Sequence, residues 1–399
     1  MIVRDFLQWV RTAPASERAE ATSALARAYL YSDLLPDDLA AAEGAMLMLL
    51  DDPSPLVRRA LADVLAASPS APPAIVIALA GDQPQIAAPV YALSPLFVDA
   101  DLVDAVATGD PQIQAAVANR AALPRSVAAA IAEVGSAESC LILIENCQAD
   151  IALLSMDRIV ERFGHLAAIR AVLLERDDIS PATRQTLVVK LSETLAGFVA
   201  WRAWLDADHA RRITREACEK ATVAIAADAQ ESELRPLIRH LCASGQLTAG
   251  LILRALLSGN VGLFEESLAE LANMPVSRVC ALLYDRGSGG LRALMDKAKL
   301  PASTFPAFQE AIEAMREGLQ IEPGGATRLK RRMIERVLTR CEAAEVSELA
   351  PLLTLLRRFA TEAAREEARL FCDELVADDH VSDDYEPGDY ESEEQPVAA

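Results

Sequence analysis

The sequence predicts an all-α protein built from tandem two-helix repeats. Of its 399 residues 52% are hydrophobic but only 5% are aromatic, so alanine, leucine, valine and isoleucine must supply most of the core. Alanine and leucine favour helices strongly, and the charged residues between them favour helices as well. Apolar residues also recur every three or four positions, which is the period of an amphipathic helix. Together these observations favour helices over any sheet.

Residues 1–45 are predicted to form an N-terminal helical cap. Pro14 divides its first part into two short helices, and a further helix is expected from Pro36 to Leu50. The first ten residues include charged side chains and lack the long apolar stretch of a secretory signal. Charge-free runs such as 71–81 fall well short of the roughly 20 residues needed to cross a bilayer. We therefore expect a cytoplasmic protein without a membrane span.

Residues 46–228 are predicted to form a lobe of repeats. Asp52, Asp82 and Asp110 each precede a nearby proline, and they are 30 and 28 residues apart. This pairing is typical of a helix start, where a carboxylate accepts from free backbone N–H groups and proline fits the first turn. The period is shorter than the ~40 residues usual for HEAT or armadillo repeats. The sequence therefore predicts an α-solenoid of compact HEAT-like units.

A second helical lobe is expected at residues 229–320. The longer helical stretch that precedes it carries Phe198, Trp201 and Trp204. We interpret these aromatic residues as a seam between packed sets of repeats, with a ligand platform as the alternative.

Residues 321–372 are predicted to form a basic amphipathic helical region. Its cations recur at three- to four-residue spacing with apolar residues on the other side of the helix. We call this set the arginine face and treat it as a candidate interaction surface. Its members are Arg328, Arg331, Arg332, Arg336 and Arg340. The alternatives are an ordinary solvated surface, a site for an acidic protein segment, and a site for nucleic acid or lipid headgroups.

The tail, residues 373–399, is predicted to be disordered because it has little apolar surface to bury. It holds eleven acidic residues and no lysine or arginine, which accounts for about half of the net charge of −21. Our hypothesis is that this acidic tail folds back on the arginine face and competes with an external acidic partner. The alternative is a tail that only improves solubility.

Three segments in order, 251–259, 263–269 and 284–294, resemble a family of alphaproteobacterial HEAT-like helical-repeat proteins described as a domain of unknown function, DUF2336. The repeats upstream look like the first half of the same family, so the resemblance covers most of residues 45–305. It implies a cytoplasmic helical protein, and it transfers no catalytic residues.

Chemical motifs are weak. Arg286, Gly287, Ser288, Gly289 and Gly290 stand at the start of a helix and form a candidate anion site, although a glycine turn for close helix packing explains them as well. Four scattered histidines and seven cysteines without a CxxC pair predict no metal site and reduced thiols. We expect no cofactor and no catalytic residues.

The predicted function is therefore a non-catalytic protein-interaction or scaffold role for a partner of unknown identity. Extended binding surfaces are what helical repeats provide. One alternative is an enzyme with a site between the lobes, near Arg254 and Asp285. The other is a nucleic-acid binder that uses residues 328–340, which the acidic net charge disfavours.

Overall fold

The computed structural model describes the backbone of residues 8–10, 12–284, 288–317, 325–342 and 350–382, and the side chains of these residues except 288, 317, 325–329 and 374–382. Over these ranges the secondary structure is helical, apart from an isolated bridge between Leu123 and Ala149. The all-α prediction is confirmed for this part of the chain. The chain divides into two compact units, residues 1–211 and 212–399.

Besides the helical residues 8–10, the described part of the first unit contains twelve helices and the start of a thirteenth. They are α1 (Ala15–Tyr31), α2 (Pro36–Leu49), α3 (Pro55–Leu65), α4 (Pro73–Ala80), α5 (Pro84–Leu93), α6 (Asp99–Thr108), α7 (Pro111–Ala118), α8 (Arg125–Val134), α9 (Ala137–Glu145), α10 (Leu153–Phe163), α11 (Ala167–Glu175), α12 (Pro181–Trp201) and α13 (Ala207–Asp228). The helix predicted from Pro36 to Leu50 is present and ends one residue earlier.

In the first unit most helices pack against the helix that lies two places further along the chain. The contacts run from α1 to α3, α5, α7, α9 and α11 in turn, and in parallel from α6 to α8, α10 and α12. We call these two sets the odd layer and the even layer. Buried aliphatic side chains between them form two clusters, one around Leu61 and Ile75 and one around Ile131 and Leu143.

The three aspartates that mark the repeat differ in what they do. Asp110 caps α7 as predicted, because its carboxylate accepts from the backbone N–H of Gln112 at 2.8 Å. Asp52 and Asp82 stand ahead of their helices and provide no side-chain cap. Each accepts instead from the backbone N–H of the N-cap residue, Ser54 for Asp52 at 2.8 Å and Gln83 for Asp82 at 2.7 Å. Each also accepts two hydrogen bonds from an arginine of an earlier helix, Arg18 and Arg58 respectively. These two aspartates therefore bind a backbone N–H just ahead of the helix and not one within its first turn.

Long polar side chains also connect the end of one helix to a segment about one repeat away. Arg120 donates to the carbonyls of Tyr91 and Ser94, at the end of α5. Arg162 donates to two carbonyls at the end of α8, and Arg176 to one at the end of α9. The last carbonyls of a helix lack partners within it, so these donors satisfy them and suit the negative end of the helix dipole.

The second unit contains the remaining helices. They are α14 (Glu231–Ala243), α15 (Ala249–Leu257), α16 (Val261–Ala272), α17 (Val276–Tyr284), α18 (Ser288–Lys297), α19 (Phe305–Glu317), α20 (Gly325–Glu342) and α21 (Ala350–Ser382), with a short 3₁₀ turn (Ala302–Thr304) before α19. Every residue of α15 from Leu251 to Leu257 is buried. This helix lies at the centre of the unit and contacts α16, α19 and α20.

Two boundaries differ from those the sequence predicted. The units divide at 211/212 and not at 228/229, since Val223 and Ala226 of α13 pack with α14 in a core cluster of the second unit. Helix α21 continues to Ser382, ten residues past the predicted start of the tail, because good helix formers such as Glu374 and Leu375 follow Asp373. The rest of the predicted disordered tail, 383–399, lies outside the described residues.

Candidate functional site

The second unit buries an arginine in an otherwise apolar helix. Arg254 of α15 is only 6% exposed. Its Nη1 donates to Glu362 Oε2 of α21 at 2.7 Å, and its guanidinium lies 4.2 Å from the centre of the Phe359 ring. A buried cation requires such partners because its desolvation is costly. Residues 108 positions apart in the chain are therefore joined at the core of this unit.

Further ion pairs extend from this contact. Lys220 Nζ of α13 lies 3.4 Å from Glu362 Oε1 and 3.7 Å from Glu366 Oε1. Lys330 Nζ of α20 donates to Glu366 Oε2 at 3.0 Å. We call Arg254, Glu362, Lys220, Glu366 and Lys330 the Arg254 network. It connects four helices, α13, α15, α20 and α21.

The electrostatics of the network follow from burial and neighbours. Burial raises the pKa of Glu366, but the hydrogen bond from Lys330 and the charges of Lys330 and Lys220 outweigh it and lower that pKa. Burial raises the pKa of Glu219, and the nearby charge of Arg254 offsets only part of this. Glu366 is therefore held as an anion by its partners, whereas burial favours the protonated form of Glu219.

A groove between α13 and α21 lies beside the Arg254 network. Its volume is about 850 Å³, and we call it the α13–α21 groove. Its charged lining residues are Glu216, Lys220, Arg357, Arg358, Glu362, Arg365, Glu366, Arg369 and Asp373. A smaller pocket of about 520 Å³ shares Glu216, Thr354 and Arg358 with it. The groove is polar and carries both signs of charge.

Most of these charges are neutralised by a neighbour. Arg358 pairs with Glu216, Arg357 pairs with Glu342, and Lys220 pairs with both glutamates of the Arg254 network. Arg365 and Arg369 stand one helical turn apart on the same face, and within the described part of the chain no carboxylate pairs with either. Two like charges at this spacing repel one another mildly. The lining of the groove holds five cations and four anions, and one of the anions, Asp373, follows Arg369 by one helical turn.

The arginine face lies on α20 and is largely occupied by acidic residues of its own unit. Arg331 donates to Glu335 and, at 2.8 Å, to Glu367 of α21. Arg340 Nε lies 3.9 Å from Glu310 Oε2 of α19. Arg332 is exposed and Arg336 half-buried, and both take part in polar interactions. The side chain of Arg328 lies outside the described residues.

The glycine-rich candidate site is described only in part. Arg286, Gly287 and also Asp285 lie outside the described residues, and Ser288 is described by its backbone alone. A Cβ on Gly290 would come within 2.6 Å of the Leu282 carbonyl oxygen of α17. Close approach of α17 and α18 therefore requires glycine there, which agrees with the helix-packing interpretation of the motif.

The aromatic residues at the end of α12 are exposed. Trp201 is 75% exposed and Trp204 67%, and both rings lie against Phe198. The guanidinium of Arg202 lies over the rings of Trp201 and Phe198, at 5.0 and 5.5 Å from their centres. They form an aromatic platform on the first unit.

Sequence reasoning missed the acidic and basic residues of α21. Glu362, Arg365, Glu366 and Arg369 alternate in sign along one helix, a pattern usually found on a solvated face. The spacing of these charges is visible in the sequence. The cations that pair with the two glutamates lie on α13, α15 and α20, which are distant from α21 in sequence. Alternation alone does not show which charges are paired across the fold.

Metal ligands, cysteines and apolar helices of the described residues add no further candidate site. No group of three or more metal-ligating side chains occurs among them. The seven cysteines are free, and Cys140 and Cys147 do not share a helix because α9 ends at Glu145. No helix in the described ranges is both long and apolar enough to cross a membrane.

Comparison with known proteins identifies a family. The model of DUF2336, an uncharacterised protein conserved in bacteria, matches residues 86–347. No curated protein and no solved structure matches the chain.

Proposed function

We propose that this chain, which belongs to the DUF2336 family of uncharacterised proteins conserved in bacteria, is a non-catalytic protein-interaction scaffold. In this proposal residues 15–201 are a HEAT-like α-solenoid whose surface binds a protein partner. The protein acts in the cytoplasm, a location that its free cysteines favour. Its acidic tail regulates binding of the partner. We also infer that the family is alphaproteobacterial.

The observation that carries the proposal is the repeated packing of the first unit. Each helix of the odd layer contacts the next member of that layer, and polar side chains join segments 24 to 34 residues apart. A chain that repeats one contact pattern forms an elongated array in which every unit adds to one surface. Such arrays generally serve binding, which is an inference from architecture.

Exposed apolar side chains favour the even layer as the binding surface. Its four helices carry six large hydrophobic residues that remain exposed, and the six helices of the odd layer carry four. The six are Val134, Leu153, Leu154, Leu195, Phe198 and Trp201. Contiguous exposed apolar surface on a folded protein commonly marks an interaction site. The aromatic platform extends this layer at its C-terminal end and supplies residue types that dominate interface energetics.

The test is quantitative affinity capture from a native bacterial lysate with full-length protein. Leu154→Ser with Trp201→Ser alters the even layer at side chains that are 81% and 75% exposed, and Tyr31→Ser with Leu56→Ser alters the odd layer at 77% and 60% exposed side chains. Loss of an aromatic anchor costs about 2 kcal/mol or more, roughly a thirtyfold loss of affinity. We expect partners to be lost with the first variant and kept with the second. Equal recovery by both variants would contradict the proposal.

The nucleic-acid alternative has less support from the geometry. Arg331 and Arg340 of the arginine face already lie against Glu367 and Glu310, so binding of phosphate would have to displace carboxylates. A mobility shift at low salt that disappears in Arg332→Glu would favour this alternative.

A further inference from the structure

Within the described residues Arg365 and Arg369 of the α13–α21 groove form no ion pair, although Asp373 of the same lining follows Arg369 by one helical turn. Arg365 and Arg369 line the groove, both are exposed, and the neighbouring cations are already paired with Glu216, Glu342, Glu362 and Glu366. An incoming carboxylate therefore meets two free guanidinium groups without breaking an existing ion pair. Guanidinium groups bind carboxylates well, with two parallel hydrogen bonds in the best geometry.

The same face of α21 carries a third arginine besides this pair. Arg358, Arg365 and Arg369 follow one another at seven and four residues, so they lie along one side of the helix. The rise per residue places Arg365 and Arg369 about 6 Å apart along the axis. An occupant with carboxylates at a similar interval fits this face best.

The chain itself contains such a segment immediately after α21. Asp389, Glu391 and Glu393 occupy every second position, and an extended chain presents alternate residues on one side at intervals of about 7 Å. Residues 383–399 include seven acidic residues and no lysine or arginine. Their charge is complementary to the two arginines, and their carboxylate interval is close to the separation of about 6 Å between Arg365 and Arg369 along the helix axis.

The segment also has the required reach. Arg369 and Arg365 precede Ser382 by 13 and 17 residues, about 20 and 26 Å along the helix. Residues 383–389 span up to about 25 Å when fully extended. If the chain reverses direction after Ser382, Asp389 can reach the two arginines. Glu391 and Glu393 lie further along the chain and can reach them without full extension.

We propose that the acidic segment 383–399 binds in cis along the α13–α21 groove, with its alternating carboxylates on Arg365 and Arg369. The segment thereby competes with acidic segments of other proteins for these two arginines. This inference rests on one part of the proposed function, regulation by the tail, and moves the docking site from the arginine face of α20 to α21. It is independent of the even layer of the first unit.

The test measures binding of a fluorescent peptide with the sequence of residues 383–399, by anisotropy, to full-length proteins. One protein is the wild type, and the other has a neutralised tail with Asp384→Asn, Asp389→Asn, Glu391→Gln and Glu393→Gln. A tethered segment acts at an effective concentration of the order of 1 mM. A segment whose own Kd is about 0.1 mM would then weaken binding of the probe by about tenfold in the wild type. We expect the neutralised tail to restore that binding.

Three further variants in the neutralised-tail background locate the site. Arg365→Glu with Arg369→Glu reverses the groove pair, and Arg278→Glu with Lys297→Glu makes the same charge change at exposed residues of α17 and α18. The first is expected to abolish probe binding and the second to keep it within about twofold, the range expected for distant surface charges. Arg365→Ala with Arg369→Ala repeats the first change without adding acidic groups.

Each contrary result is decisive. Equal probe binding by wild type and neutralised tail would mean that the groove is open and that the tail does not occupy it. Equal loss in the groove variant and its control would mean that only net charge matters. Neither result depends on whether the even layer binds a partner, so failure of this proposal and failure of the scaffold proposal are distinguishable.

Discussion

Arg58 of α3 donates two hydrogen bonds to Asp82, 24 residues further along the chain, from Nε at 2.5 Å and from Nη2 at 3.0 Å. The two side chains are only 13% and 15% exposed. Arg58 also donates to the Asp52 carbonyl at 2.6 Å, so it joins the segments that begin two successive repeats. A parallel two-point contact of this kind fixes orientation as well as distance.

Removal of this pair is expected to destabilise the first unit. Asp82→Ala leaves a mostly buried guanidinium without its carboxylate, and we expect the free energy of unfolding to fall by about 1–3 kcal/mol. Arg58→Met should have a similar effect, and the double variant less than the sum of the two. Chemical denaturation of the four proteins measures this coupling. Additive losses would show that the contact contributes nothing of its own.

The same pair predicts a dependence of stability on pH. The hydrogen bond from Arg58 lowers the pKa of Asp82 below its ordinary value of 3.8, although burial opposes the shift. A lowered pKa in the folded state stabilises the protein fully above the ordinary pKa and less as the pH falls through the folded value. We expect Asp82→Asn to unfold with a shallower pH dependence below pH 3.8 than the wild type, as measured by thermal melting. Identical slopes would contradict this assignment.

Much of the local structure of the first unit was predictable because its signals are local. Prolines at positions 36, 55, 84 and 111 begin helices, as their fixed φ and missing N–H lead one to expect. Arg120 and Arg176, which are 56 residues apart, have the same role in different repeats. Both arginines satisfy carbonyls at the end of an earlier helix.

The charged site of the second unit was not predictable in this way. Spacing along α21 places Glu362, Arg365, Glu366 and Arg369 on one face, but it does not identify which of them is paired. That depends on Arg254 and Lys220, which are distant in sequence and approach only when α13 and α15 pack beside α21. Nor does the sequence show that the guanidinium of Arg254, a residue of the enzyme alternative, lies against the ring of Phe359.

Arg254 and Glu362 should respond unequally to substitution. Glu362→Ala leaves the buried Arg254 cation without its hydrogen-bonded carboxylate, and loss of one partner of such a pair typically costs about 3–5 kcal/mol. Arg254→Met keeps an apolar stem against Phe359 and leaves Glu362 close to Lys220, so we expect a smaller loss. Thermal unfolding of the two variants compares them. A larger loss for Arg254→Met would show that packing by the arginine stem dominates the contact.

The cysteines should divide into reactive and protected groups. Cys147, Cys242 and Cys372 are exposed, whereas Cys140 and Cys341 are buried. Burial raises the pKa of Cys140 to about 11, even though Arg162 Nη1 lies 4.0 Å from its sulfur, and it raises that of Cys341 to about 11 as well. At pH 8 about a quarter of an ordinary thiol is ionised, but only about one thousandth of a thiol with a pKa near 11.

Alkylation at pH 8 followed by peptide mass mapping tests this division, because the thiolate is the reactive form. We expect the three exposed cysteines to react first and Cys140 and Cys341 to react only in denaturant, where all seven cysteines become equivalent. The denatured protein is the control for intrinsic reactivity. Modification of native Cys140 as fast as Cys147 would mean that α8 and α9 separate readily, since the Cys140 sulfur contacts the Ile131 carbonyl of α8 at 3.5 Å.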